Sequence, residues 1–206
     1  MSSDLADTTT RILDATCALM ESGDSSAVRL ADIARHAGLS RQAIYLHFET
    51  RADVIIATMR HLDEQGALGP ALRGIRHARN GRGRLRKLIR VWRSHMAQAH
   101  GVTRALMAMQ ETDAAAAAAW ADRLKMLRDG CRTAITMLDR EGELAPGWSV
   151  VTATDALCAL LSVQGWENLT GPCRWSETDY IARMQLLAER SFTTGPDLQT
   201  SATPTT

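Results

Sequence analysis

Aromatic residues are scarce in this chain: among 206 residues there are two Tyr, two Phe and five Trp. The β-branched runs are short, and no Asn-Gly or Asp-Gly joins two alternating apolar segments. Strand and hairpin signals are therefore nearly absent, which argues against a sandwich or a barrel. The four cysteines, Cys17, Cys131, Cys158 and Cys173, follow no C-x-x-C spacing and have no His or Cys cluster beside them. That pattern excludes a zinc module and reads as buried thiols in a reducing cytoplasm. The start, MSSDLADTTTR, lacks the basic flank, apolar run and cleavage site of a secretory signal. No uncharged apolar stretch reaches roughly the 18 residues that a membrane span needs. A cytoplasmic protein with no membrane partner is the expectation. An excess of charge is missing too: the formal net charge is +1, so any footprint for nucleic acid must be local. The histidines, His36, His47, His61, His77, His95 and His100, form no H-E-x-x-H, and there is neither a nucleophile elbow nor a Gly-rich phosphate loop after a strand. These absences leave a helical enzyme poorly supported, with no metal or cofactor implied.

What is present is helical periodicity. A first helix is predicted over about Thr8 to Glu21, burying Ile12, Thr16, Leu19 and Met20 and ending at Gly23. A second, about Leu30 to His36, buries Leu30, Ile33 and Ala34. A third, about Arg41 to Phe48, buries Ile44 and Phe48, and a fourth starts near Arg51 with Val54, Ile55, Thr58 and Leu62 inward. The tract Gly66 to Arg84 is dense in Gly and contains Pro70, so it reads as a linker with at most one short helix. Beyond it, helices are predicted at about 85–100, 103–109, 112–141, 150–169 and 177–192. The fold class is all-α. A smaller N-terminal domain is expected at 1–60, with the fourth helix connecting it to a larger helical domain at 61–193. The tail 194–206 has little to bury and is expected to be disordered.

The stretch LADIARHAGLSRQAIYLHF, Leu30 to Phe48, carries the most specific local signal. Gly38 falls where the second helix must turn, a position that favours a residue without a Cβ. Leu39 fits the angle, and Ser40 suits the N-cap of the next helix. With Ile44 and Phe48 inward, Arg41, Gln42, Tyr45 and Leu46 fall outward. Arg can take a guanine edge bidentately and Gln an adenine edge. Ser40, Tyr45 and His47 suit phosphate oxygens, which position a helix without specifying sequence. On these residues alone, a helical corner with no ligand and a DNA-reading corner both remain open.

From Ile12 to about Met59 the chain resembles the N-terminal domain of the TetR family, the tetracycline-repressor-like bacterial transcription regulators. The residues that carry the resemblance are Ile12 and Ala15, then DIARHAGLSRQAIYLHFETRADVI from Asp32 to Ile55. It implies that Ser40, Tyr45 and His47 hold phosphates, that Arg41 and Gln42 approach bases, and that Arg51 makes a further phosphate contact. Two positions depart from the family pattern. Arg29 stands where a capping Thr is usual, though it can still reach a phosphate, and Arg41 stands where Gly or Lys is frequent. The acids Asp4, Asp7, Asp14, Glu21, Asp24, Asp32, Glu49 and Asp53 offset the arginines of this domain, so weak salt dependence is expected.

A single corner covers a short half-site, so a homodimer on a palindromic double-stranded operator is expected. Two stripes suit dimerisation: Ala153, Leu157, Leu160 and Leu161 in one helix, and Tyr180, Met184 and Leu187 in the last. Family architecture implies that these two helices pair with their mates in a four-helix bundle; the alternative is that both stripes serve only the monomer core. Trp92, Met96, Met107 and Trp120 suit a pocket for a hydrophobic or amphipathic small-molecule effector, with His95, Gln110 and Gln164 as orienting groups, and equally suit any helical core. Arg82, Arg86, Arg90 and Arg93 share one helical face, which reads as solvated, or else as a dock for the acidic domain or an anion. The reading is a homodimeric, effector-responsive repressor. The alternatives are an activator, or a helical scaffold that does not recognise a DNA sequence.

Overall fold

The computed structural model describes residues 2–22, 28–66 and 68–195. The helices, in chain order, are α1 (Ser2–Ser22), α2 (Leu30–His36), α3 (Arg41–Tyr45), α4 (Arg51–Gln65), α5 (Leu68–Ile75), α6 (Gly81–Met109), α7 (Ala114–Arg140), α8 (Val150–Leu160), α9 (Val163–Thr170) and α10 (Glu177–Phe192). No strand forms among the described residues; a single antiparallel bridge joins Leu144 and Thr193. No described helix is long and apolar enough to cross a membrane. Gly23 and the tail from 196, for which a helix end and disorder were expected, lie outside the described residues.

The chain forms two compact units, Met1–Gly69 with His95–Lys125, and Pro70–Ser94 with Met126–Thr206. In the first, Ile12 and Met20 of α1 join Ile33 and Ala34 of α2, Ile44 of α3, Phe48, and Val54, Ile55 and Met59 of α4 in one core. Each fully buried aliphatic side chain of this size contributes about 1.5–3 kcal/mol. Thr16 and Thr58 lie inside this core without penalty, because their hydroxyls donate to the carbonyls of Ile12 (2.8 Å) and Val54 (2.7 Å) one turn back.

The same core takes in Ala99, Val102, Ala105 and Leu106 of α6 and Ala116 of α7. The sequence predicts separate helices at 85–100 and 103–109 after a Gly-rich linker, yet α6 is continuous from Gly81 to Met109. Gly101 sits inside it for proximity: a Cβ there would stand 2.2 Å from the Met20 carbonyl oxygen of α1. Gly81 likewise opens α6 where a Cβ would meet Leu138 of α7 at 2.6–2.7 Å. The N-cap of α6 is Asn80, whose Oδ1 accepts from Gly83 N–H at 2.8 Å.

The second unit corrects two further expectations. The helix predicted over 150–169 is two, because Ser162 caps a new start: its Oγ accepts from Gly165 N–H at 3.1 Å. The arginine face of α6 is not simply solvated. Arg82 pairs with Glu143 at 2.7 Å, Arg86 with Glu189 and Arg93 with Glu177, so three of its four cations tie α6 to other parts of the same unit. Trp92 Nε1–H donates to Tyr180 Oη (3.2 Å), and the Tyr180 ring lies edge-on to Trp166 with centroids 4.7 Å apart.

Candidate nucleic-acid interface

The corner between α2 and α3 is built by backbone bonds that its sequence permits. Gly38 has φ +66°, the left-handed region. Its N–H donates to Arg35 O (3.2 Å), and Leu39 N–H donates to Ala34 O (2.9 Å), which together close α2 in a Schellman turn. Leu39 is partly buried against the core, and Ser40 Oγ accepts from Ala43 N–H at 3.1 Å to start α3. Arg11 of α1 donates through Nη2 to the Ala37 carbonyl (2.7 Å), fastening the corner to the first helix. A cap box opens α4: Asp53 N–H donates to Thr50 Oγ1 (3.1 Å), and Thr50 N–H donates to Asp53 Oδ2 (2.9 Å).

With Ile44 and Phe48 buried, α3 presents Arg41, Gln42 and Tyr45 to solvent, and Leu46 just beyond it is 82% exposed. Exposed apolar area of that size beside a cation and an amide suits contact with base edges, thymine methyls included. Ser40 is exposed at the start of this face while its Oγ serves the cap. His47 is half-buried, its Nδ1 3.0 Å from Thr9 Oγ1 of α1, so its ring is held in place. Arg51 is half-buried as well: its Nε–H donates to Val28 O at 2.7 Å, and burial lowers its pKa. Arg51 thus braces the segment ahead of α2, a role its sequence position did not show. Arg29 is exposed with extended backbone and makes no side-chain cap; instead its N–H donates to Asp32 Oδ2 at 3.2 Å.

A polar cluster stands behind this domain. Asp63 of α4 takes both branches of the Arg123 guanidinium of α7, with Nη1 2.8 Å from Oδ1. His95 of α6 lies with Nδ1 4.0 Å from the same Oδ1. All three side chains are at most 19% exposed. Burial, then the charge of Arg123, push the His95 pKa down to about 4, with Asp63 pulling the other way, so the ring is neutral at pH 7.

The expected effector residues fall in both units. His95, Met96, Met107, Gln110 and Trp120 belong to the first, Trp92 and Gln164 to the second. Met96 is fully buried and Gln164 exposed. Of the dimer stripes, Ala153, Leu157, Leu161, Tyr180 and Met184 are 0–1% exposed within a single chain. Within one chain these five side chains are already covered, whereas Leu187 of the same stripes is exposed. Leu160 is half-buried, and the apolar side chains that α8 and α10 do expose are Val151, Leu186 and Leu187.

A helix-turn-helix domain within an all-helical chain is an architecture of bacterial regulators. Residues 12–58 match the family model for bacterial regulatory proteins of the tetR family. The fold is similar to a transcriptional regulator from Saccharomonospora viridis in complex with choline (TM-score 0.79, 17% identity, 92% of this chain and 100% of that one). It is similar to a TetR-family regulator from Rhodococcus sp. (0.64, 18%, 91% and 100%). It is also similar to the transcriptional regulator FadR from Bacillus subtilis in complex with stearoyl-CoA (0.68, 18%, 87% and 95%). No curated protein matches the sequence significantly. The helix-turn-helix domain is therefore a tetR-family domain, in a chain whose fold is that of the family's transcriptional regulators.

Proposed function

We propose that the protein is a homodimeric repressor that binds a palindromic operator and leaves it when a small hydrophobic or amphipathic effector binds. The observation that carries this reading is the exposed group Arg41, Gln42, Tyr45 and Leu46, held at a corner fixed by Gly38, Ser40 and Arg11. Arg41 and Gln42 read bases from the first turn of α3, while Ser40, Tyr45, His47, Arg29 and Arg51 meet the phosphates. DNA reading falls to residues 1–60, and effector sensing and pairing to 61–193. The protein acts by binding and not by turnover, from the cytoplasm.

The effector reaches α4 through the cluster Asp63, Arg123 and His95. These three residues tie α4 to α6 and α7 inside one unit that also holds the DNA-reading corner. A ligand that prefers the arrangement in which this tie is broken shifts the population away from the DNA-competent state, by as much as its affinity for the two states differs. Choline and stearoyl-CoA, bound in two similar folds, support an organic effector. Pairing uses what α8 and α10 leave exposed, Val151, Leu186 and Leu187, with the half-buried Leu160. The test is a mobility shift on DNA upstream of the protein's own gene. A saturable complex holding two chains per inverted repeat is expected; binding indifferent to sequence contradicts the reading.

A further inference from the structure

The second unit contains a cleft of about 420 Å³ whose lining includes four arginines. Arg76 follows α5, Arg84 lies in the first turn of α6, and Arg132 and Arg140 lie on α7. The α7 wall is one helical stripe, since Asp129, Arg132, Thr133, Thr136, Met137 and Arg140 recur at three- and four-residue steps. Four cations face one carboxylate, and that carboxylate is 3.6 Å from its neighbour Arg132. Arg84 is held in place, with Nη2 donating to the Arg76 carbonyl at 2.9 Å. Its Nε is shut off from solvent and finds no acceptor among the described residues. A buried donor on a cation is costly to leave unmade.

We infer that this cleft binds a phosphate-bearing small molecule. Guanidinium forks match phosphate oxygens bidentately, Thr136 adds a hydroxyl at the same wall while the Thr133 hydroxyl donates to the Asp129 carbonyl (2.7 Å), and the volume is that of a small-ligand site. A formal excess of three positive charges calls for a multiply charged anion, such as a diphosphate. Met137 supplies an apolar contact for the body of an organic phosphate. None of these residues belongs to the DNA-reading face or to the expected effector set, so the site stands or falls independently of the proposed regulation.

Calorimetry on the full chain tests the inference, with inorganic pyrophosphate as the probe and citrate at matched ionic strength as a carboxylate of comparable charge. Pyrophosphate is expected to bind saturably, one per chain, at least about tenfold more tightly than citrate. Arg132→Gln with Arg140→Gln removes two exposed cations without touching the core and is expected to weaken binding at least about 30-fold, with an unchanged circular dichroism spectrum. Arg84→Gln is expected to weaken it about tenfold. Adenosine diphosphate separates the two sources of the anion: tighter binding than pyrophosphate assigns an organic phosphate, and equal binding assigns the inorganic one. No saturable heat at 10 mM pyrophosphate (roughly the upper bound of useful affinity), citrate binding as tightly, or an unaffected double variant would overturn the site.

Discussion

Asp63 and Arg123, sixty residues apart, form a two-pronged ion pair that fixes α4 to α7. Both side chains are largely buried, so removing one leaves the other charge without its partner in a poorly solvated place. Arg123→Gln is therefore expected to destabilise the first unit by about 2 kcal/mol, below the range for completely buried pairs. Urea denaturation checks this, and Arg123→Gln with Asp63→Asn together should recover part of the loss. In the proposed regulator the same variant loosens α4 and weakens operator binding without any change at the DNA face.

His95 gives that cluster a pH dependence. Its pKa is lowered to about 4 by burial first and by Arg123 second, against about 6.5 in the unfolded chain. Between those values the unfolded chain takes up a proton that the folded chain refuses. This contribution is complete above pH 6.5 and is lost as pH falls from about 6.5 to 4, amounting to about 3 kcal/mol. Stability curves of the protein and of His95→Gln should converge in slope above pH 7 and diverge below 6, with the variant flatter.

Gly101 faces the Met20 carbonyl so closely that no side chain fits between α6 and α1. Because the obstacle is backbone, Gly101→Ala must shift a helix, and a loss of about 1–3 kcal/mol is expected, despite the better helix propensity of alanine. A Gly130→Ala control meets only side-chain atoms, the nearest at 3.1 Å, and should cost less.

In the proposed regulator the cations that would face DNA are few. Arg51 already spends its Nε on the Val28 carbonyl, leaving Arg29 and Arg41 as the exposed ones beside it. Two protomers then release few counterions, and the slope of log affinity against log salt is expected to be no steeper than about −5. Fluorescence anisotropy with an operator duplex across a salt series measures it.

The corner was legible because its signals are local: a glycine needing positive φ, a serine cap and an apolar pair one turn apart all lie within eleven residues, Gly38 to Phe48. Periodicity also placed Arg41, Gln42, Tyr45 and Leu46 outward. Periodicity could not say which surface an apolar stripe meets, so Leu157 and Tyr180 were expected at a dimer seam and lie in the monomer core. The Gly-dense tract up to Arg84 reads as a linker and the periodicity breaks near 100–103, whereas Gly81 and Gly101 serve close helix approach, which depends on residues distant in sequence. The Asp63–Arg123 pair and the arginine ladder of α6 were hidden for the same reason.

The central claim is that α3 reads DNA, and one measurement tests it most directly. Anisotropy titration of the upstream operator duplex compares the protein with Arg41→Ala/Tyr45→Ala, two exposed side chains whose loss leaves the core intact. At about 1–3 kcal/mol for each lost base contact, repeated in two protomers, the double variant should lose specific binding by more than about 100-fold. Its melting temperature and oligomeric state should not change. Specific binding retained at the original affinity would contradict the account.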